Sequence, residues 1–153
     1  MKDKFKHLYM DWALRVAQLS HARRLQVGAV IVKDDTVISY GYNGMPAGWD
    51  NNCEDKIYVS PWESEFQDED GTTYVLRTKP EVLHAESNAI AKLARIINSG
   101  NGADIFITHA PCLDCAKLVY QAGIKRVYFG SAYRNDDGVQ FLKNSGVDVE
   151  QIT

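Results

Sequence analysis

Two short segments, His84-Ala85-Glu86 and Pro111-Cys112-Leu113-Asp114-Cys115, restrict the folds open to this chain more than any other feature. They supply one imidazole, two thiols and one free carboxylate, the parts needed to hold a zinc ion and to move protons on a water beside it. A fold that uses them has to bring the two segments together.

The spacing has a mechanical reason. On a helical pattern, His84 and Glu86 lie at the start of one helix, while Cys112 and Cys115 are three apart in the first turn of another and share a face. Both helix N-termini then aim at a common point, where their positive ends favour thiolates, and Pro111 suits a helix entry because its missing amide hydrogen would find no partner there. Neutral His84 with two thiolates balances Zn²⁺, which leaves Glu86 as the uncompensated charge and the candidate proton shuttle. Such parts suit hydrolytic loss of an amine from an aminopyrimidine or aminopurine, with Glu86 taking a proton from water and passing one to the departing amine. Two other arrangements stay open at this point. In a closed zinc knuckle, His109 would fill the fourth ligand place; in a redox C-x-x-C, His84 and Glu86 would have no role.

Composition narrows the class. At 153 residues with 45% hydrophobic content, one compact domain is expected, able to bury a core without staples. The charged N-terminus (Met1-Lys2-Asp3-Lys4-Phe5-Lys6) has no apolar stretch behind it, and no run long enough to span a bilayer occurs, so a soluble, cytoplasmic chain with no membrane partner is expected. Three cysteines, two of them in a C-x-x-C, argue against a disulfide scaffold, and Cys53 is expected to be a free thiol. A formal charge of −3 is unsuited to gripping a long nucleic-acid backbone and favours a small substrate.

Along the chain, Leu8, Trp12, Ala13, Val16, Ala17 and Leu19 predict a helix from about residue 3 to 20. Two β-branched runs, 26–33 and 36–42, flank Asp34-Asp35 and predict a tight hairpin; the first run is apolar on both faces and so belongs in a sheet covered on both sides. Between about 44 and 83 the pattern fails, which predicts a long irregular loop that is functional or locally folded, with Asp68-Glu69-Asp70 as a solvated turn. A helix from Ala85 through Ile97, a strand at 103–108, a helix at 112–122, a strand at 125–130, a short helix at 138–144 and a strand at 147–152 complete the expectation. The two β-α-β passages imply parallel neighbours, giving a three-layer α/β/α sandwich around a mixed sheet of about five strands.

The resemblance extends beyond the metal residues. Gln26-Val27-Gly28-Ala29-Val30-Ile31-Val32, Gly41-Tyr42-Asn43-Gly44-Met45-Pro46, His84-Ala85-Glu86-Ser87-Asn88-Ala89-Ile90 and Pro111-Cys112-Leu113-Asp114-Cys115-Ala116-Lys117 together resemble the deoxycytidylate (dCMP) deaminase branch of the zinc-dependent cytidine/deoxycytidylate deaminases. H-A-E and P-C-x-x-C fix only the superfamily; G-Y-N-G-x-P and the Asn after H-A-E-x point to the branch. The resemblance implies a cytidine deaminase-like fold, conversion of dCMP to dUMP and ammonia for thymidylate synthesis, Zn²⁺ on His84, Cys112 and Cys115, and Glu86 as the shuttle. It further implies that Asn43 contacts the deoxyribose and the Ala85 amide reads the pyrimidine carbonyl. A hexamer activated by dCTP and inhibited by dTTP, with Mg²⁺ on the nucleotides, is implied as well, with Tyr42, Gly44 and Asn88 as the candidate effector residues. For the 5′-phosphate, Arg134 with Tyr133 is the first candidate and Arg24 the second, with Ser20 and Arg23 nearby. A tRNA- or DNA-editing deaminase and a non-catalytic zinc-stabilised binding domain are the competing functions.

Overall fold

The computed structural model describes residues 1–64 and 66–153. Its elements run α1 (Asp3–Ala17), β1 (Gly28–Lys33), β2 (Thr36–Tyr42), β3 (Glu54–Tyr58), β4 (Phe66–Gln67), β5 (Thr73–Thr78), α2 (Ala85–Leu93), β6 (Asp104–His109), α3 (Leu113–Gln121), β7 (Arg126–Ser131), α4 (Asp137–Asn144) and β8 (Asp148–Gln151). The main sheet has five strands in the order β2-β1-β6-β7-β8. β1 pairs antiparallel with β2 and β6, and β6, β7 and β8 are parallel, as the two β-α-β passages require.

Alternation along β1 divides the core in two. Ala29 and Ile31 face α2, α3 and α4 with Ile105, Ile107 and Val127, while Val30 and Val32 face Tyr9, Met10 and Ala13 of α1 with Phe106 and Tyr128. This explains why the run is apolar on both faces, and it gives the expected three layers. Asp34 and Asp35 both have positive φ, 51° and 58°, the conformation that a two-residue hairpin of this twist demands.

Two helix ends differ from the periodicity. α1 stops at Ala17, where Leu19 and Ser20 bond the carbonyls of Val16 and Ala17 in a tighter turn. α2 stops at Leu93; the i→i−3 bonds of Ala94, Arg95 and Ile96 wind the chain out of the helix, leaving Ile96 and Ile97 exposed instead of on the core stripe.

The segment 44–83 holds more regular structure than its sequence pattern suggests. β3, β5 and β4 form a separate antiparallel sheet in that spatial order. Cross-strand contacts hold it: Tyr74 meets Tyr58 edge-on and stacks on Phe66, with centroids 6.4 and 5.7 Å apart, and Lys56 pairs with Asp68.

Close backbone approach sets α2 against the main sheet. A Cβ added at Gly41 would lie 2.4 Å from the Ala85 carbonyl oxygen and 2.6 Å from the Ala89 amide nitrogen, so only glycine lets the start of α2 rest on β2. Gly41→Ala is therefore expected to cost about 1–3 kcal/mol in a denaturant titration, by overpacking, and to reduce activity further because α2 carries His84 and Glu86. An unchanged midpoint would show that α2 can back away freely. Among the described residues, no helix is long and apolar enough to cross a membrane.

Candidate active site

Two helix N-termini converge on one point. His84 is the N-cap of α2, with Glu86 in its first turn; Cys112 is the N-cap of α3, one residue before the helix proper, and Cys115 lies in its first turn. A second close approach sets the entry to α3: a Cβ at Gly138 of α4 would lie 2.2 Å from the Pro111 carbonyl oxygen.

The ligand atoms of His84, Cys112 and Cys115 all lie within 4.8 Å of one another. His84 Nδ1 is 3.2 Å from Cys115 Sγ and 3.7 Å from Cys112 Sγ. Tetrahedral zinc with Zn–S near 2.3 Å and Zn–N near 2.0 Å needs ligand separations of roughly 3.5–3.8 Å, so one imidazole nitrogen and two sulfurs fit Zn²⁺ with little movement. Among the described residues they form the only such group. His109 stands outside it, with Nδ1 on Thr108 Oγ1, so the closed four-ligand knuckle is not the arrangement found.

Electrostatics prepares the cluster for a dication. Hydrogen bonds from Cys115 and His84 bring the Cys112 thiol down to about 4. The same bond to Cys112, with burial, pushes Cys115 upward, so the metal-free pair keeps one proton between two sulfurs. The Cys112 thiolate also raises His84. Glu86 is 4% exposed, and desolvation lifts its carboxyl from 4.5 to about 7. A carboxyl that gains and loses a proton near neutrality suits a shuttle.

Beside the cluster opens a cavity of about 380 Å³, within the range of small-molecule sites. His84, Ala85, Glu86 and Cys112 line it, and so do Asn43, Arg24, Tyr133, Arg134 and His109. The expected substrate residues are thus brought together. Asn43 is also a strut: its Oδ1 accepts the Val27 N–H at 2.9 Å and its Nδ2 donates to the Leu25 carbonyl at 2.8 Å, which leaves one N–H for a ligand. Ser20 is buried, donates to the Asn43 carbonyl and is not in the cavity wall; Arg23 turns to Glu54 and Asn52 instead.

Tyr42, Gly44 and Asn88 lie outside the cavity wall. Asn88 Nδ2 donates to the Tyr42 carbonyl at 2.8 Å, and Gly44 and Leu83 exchange backbone hydrogen bonds of 3.0 and 2.8 Å. Together they bracket the chain entering α2. Cys53 is a free, buried thiol packed with Ala22, Val82 and Met45, and burial raises its pKa.

Sequence reasoning missed Glu54. Its carboxylate is 1% exposed and accepts the backbone N–H groups of Arg23 and Arg24 at 3.1–3.2 Å, while Arg24 Nη1 donates to Thr78 Oγ1 at 3.3 Å. The small sheet thereby fixes the loop that carries Arg24. No motif announces this; an acidic residue beside Cys53 in an otherwise unpatterned stretch was the one available signal.

Known proteins are similar to this chain over most of its length. A chain from Enterobacteria phage T2 called deoxycytidylate deaminase is 33% identical over 92% of this chain and 88% of that protein. The ComE operon protein 2 of Bacillus subtilis (strain 168) is 36% identical over 94% of this chain and 69% of that protein. The crystal structure of dCMP deaminase from the cyanophage S-TIM5 in complex with dCMP and dUMP superposes with a TM-score of 0.82 at 39% identity, covering 99% of each chain. Residues 3–131 match the cytidine and deoxycytidylate deaminase zinc-binding region, and the chain belongs to that family of deaminases.

Proposed function

We propose that this chain, as one domain spanning its 153 residues, converts dCMP and water to dUMP and ammonia. The observation that carries it is the end-to-end likeness to a dCMP deaminase crystallised with dCMP and dUMP, together with a buried Glu86 beside the three-ligand cluster in a nucleotide-sized cavity. Zinc held by His84, Cys112 and Cys115 would polarise a water and lower its pKa towards neutrality.

The protein's own groups do the rest. Glu86 accepts a proton from the attacking water and passes it to the pyrimidine ring nitrogen, then takes the remaining proton of the added hydroxyl and delivers it to the amine, so that the C–N bond breaks, ammonia leaves and the new carbonyl forms. The Ala85 N–H, at the first position of α2, has no partner within the helix and is free to hydrogen-bond the pyrimidine carbonyl. Asn43 offers its spare N–H to the deoxyribose, and Arg24 and Arg134, from two separate loops, neutralise the 5′-phosphate, Tyr133 packing beside Arg134.

Ammonia release from dCMP, CMP, dCTP, deoxycytidine and a single-stranded oligonucleotide tests this directly. Turnover of dCMP well above the others is expected. Preference for the oligonucleotide would instead point to an editing enzyme, and no release from any of them to a binding domain.

Regulation and assembly belong to the same proposal. A nucleoside triphosphate with Mg²⁺ bound near Tyr42, Gly44 and Asn88 would act on the bracket that positions α2, and so on His84 and Glu86. The expected result is activation by dCTP and inhibition by dTTP; rates unaffected by either would remove effector control. Exposed Leu8 and Trp12 on α1 suit burial between copies in a hexamer, which sedimentation would detect. Three free cysteines suit a reducing cytoplasm.

A further inference from the structure

His109 lines the cavity, yet neither metal binding nor proton transfer uses it. It ends β6 in register with Ser131 of β7, so it stands between the Pro111-Cys112 side of the site and the loop carrying Tyr133 and Arg134. Its Nδ1 lies 3.0 Å from Thr108 Oγ1, and that oxygen is 3.1 Å from the Gly28 amide nitrogen.

The direction of these bonds is determined by chemistry. A backbone N–H can only donate, so Thr108 Oγ1 accepts from Gly28. Thr108 is 2% exposed, and its hydroxyl proton finds no acceptor among the described residues except His109 Nδ1. Were Nδ1 protonated, that hydroxyl proton would be buried without a partner. Nδ1 is therefore the acceptor and the ring proton resides on Nε2. Among the described residues no protein group bonds Nε2, and no buried side-chain nitrogen or oxygen lacks a partner, so Nε2 opens to the cavity. Burial lowers the pKa of the ring and keeps it neutral at pH 7.

We propose that His109 is a substrate-binding residue, a neutral Nε2–H donor to an oxygen on the sugar–phosphate half of the nucleotide, with its tautomer set by Thr108 and the Gly28 backbone. The proposal rests on dCMP as substrate. Its place between the metal ligands and Arg134 assigns it to that half, since the pyrimidine lies against Glu86. The donor discriminates as well as binds: with no acceptor lone pair on Nε2, it selects an acceptor oxygen and rejects a donor group.

The test uses zinc-loaded protein. Long-range ¹H–¹⁵N spectra of the four histidines are expected to place the His109 proton on Nε2 with Nδ1 bare, and titration with dUMP is expected to shift that Nε2–H. His109→Phe is expected to weaken dUMP binding and raise KM for dCMP by about 10- to 100-fold, the range for a hydrogen bond to a charged acceptor, with kcat little changed. His109→Gln, whose side-chain N–H reaches the Nε2 position, recovers most of the loss. Deoxyuridine then names the acceptor: equal weakening for it assigns a sugar oxygen, and none assigns the phosphate. A proton on Nδ1, or a Phe variant that binds dUMP as tightly as the parent, overturns the proposal. A parent protein that binds dUMP through His109 yet releases no ammonia from dCMP defeats the assigned activity alone.

Discussion

Replacing Glu86 by glutamine is expected to lower kcat for dCMP by about 10²–10⁴-fold while zinc stays bound. The amide has nearly the volume of the carboxyl and can still hydrogen-bond, but it cannot carry a proton between water, ring and leaving amine. Glu86 lies outside the ligand group, so metal content should match the parent. Steady-state ammonia release and zinc analysis on one preparation check both halves, and turnover within a few-fold of the parent would remove Glu86 from the shuttle role.

Stability should move the other way. Burial raises the Glu86 carboxyl from 4.5 to about 7, so between those values the folded protein keeps a proton that the unfolded chain has lost. As pH climbs through that window the folded state becomes progressively disfavoured. Below it the penalty is absent, and above about 7 it reaches roughly 3 kcal/mol by the conversion of 1.36 kcal/mol per unit. Glutamine carries no such penalty. Metal-free Glu86→Gln should therefore unfold at higher urea than the metal-free parent in mildly alkaline buffer and at the same urea near pH 4. Equal midpoints throughout would mean that water relieves the buried carboxylate.

That penalty also bears on how far a sequence discloses its site. The convergence of His84, Glu86, Cys112 and Cys115 was legible because zinc chemistry restricts residue type and helix starts restrict spacing, so their placement is written into the same few letters. The β1–β2 hairpin was legible for a comparable reason: an apolar run and a two-aspartate link each admit few conformations. β3, β4 and β5 were not. Their few aliphatic residues, Ile57, Val75 and Leu76, do not alternate regularly with polar ones, and across the strands Tyr74 meets Tyr58 and Phe66, a property of register that no single strand contains. The overrun of α2 to Ile97 is the converse error, since periodicity records apolar spacing but not whether a surface exists to cover it. Glu54 combines both difficulties, because its importance comes from the two backbone amides that a distant loop brings to it.

Cys112→Ala is expected to abolish zinc retention during purification. One thiolate of a small ligand set accounts for roughly a quarter of a binding free energy of about 10–16 kcal/mol, so affinity should fall 10²-fold or more. Cys112 also accepts the hydrogen bonds from Cys115 and His84 that hold its thiol down to about 4, so its loss should cost the metal-free protein some stability near neutral pH as well. The two effects separate in thermal melts: the parent should lose its zinc-dependent rise in Tm on chelation, whereas the variant should melt below the chelated parent near neutral pH, with or without added zinc. The pH dependence follows from the same cluster. In the metal-free site Cys115 and His84 hold protons more tightly than usual, mainly because of their bonds to Cys112, and zinc has to displace them. Parent affinity in a chelator competition should thus rise with pH, by roughly tenfold per unit for each proton released, and fall as acid refills the site. Removing Cys112 removes the largest cause of both raised values, so whatever binding survives in the variant should depend less steeply on pH around neutrality. A variant that holds zinc as tightly as the parent, with the same proton release, would take Cys112 out of the ligand set and leave His84 and Cys115 needing another partner.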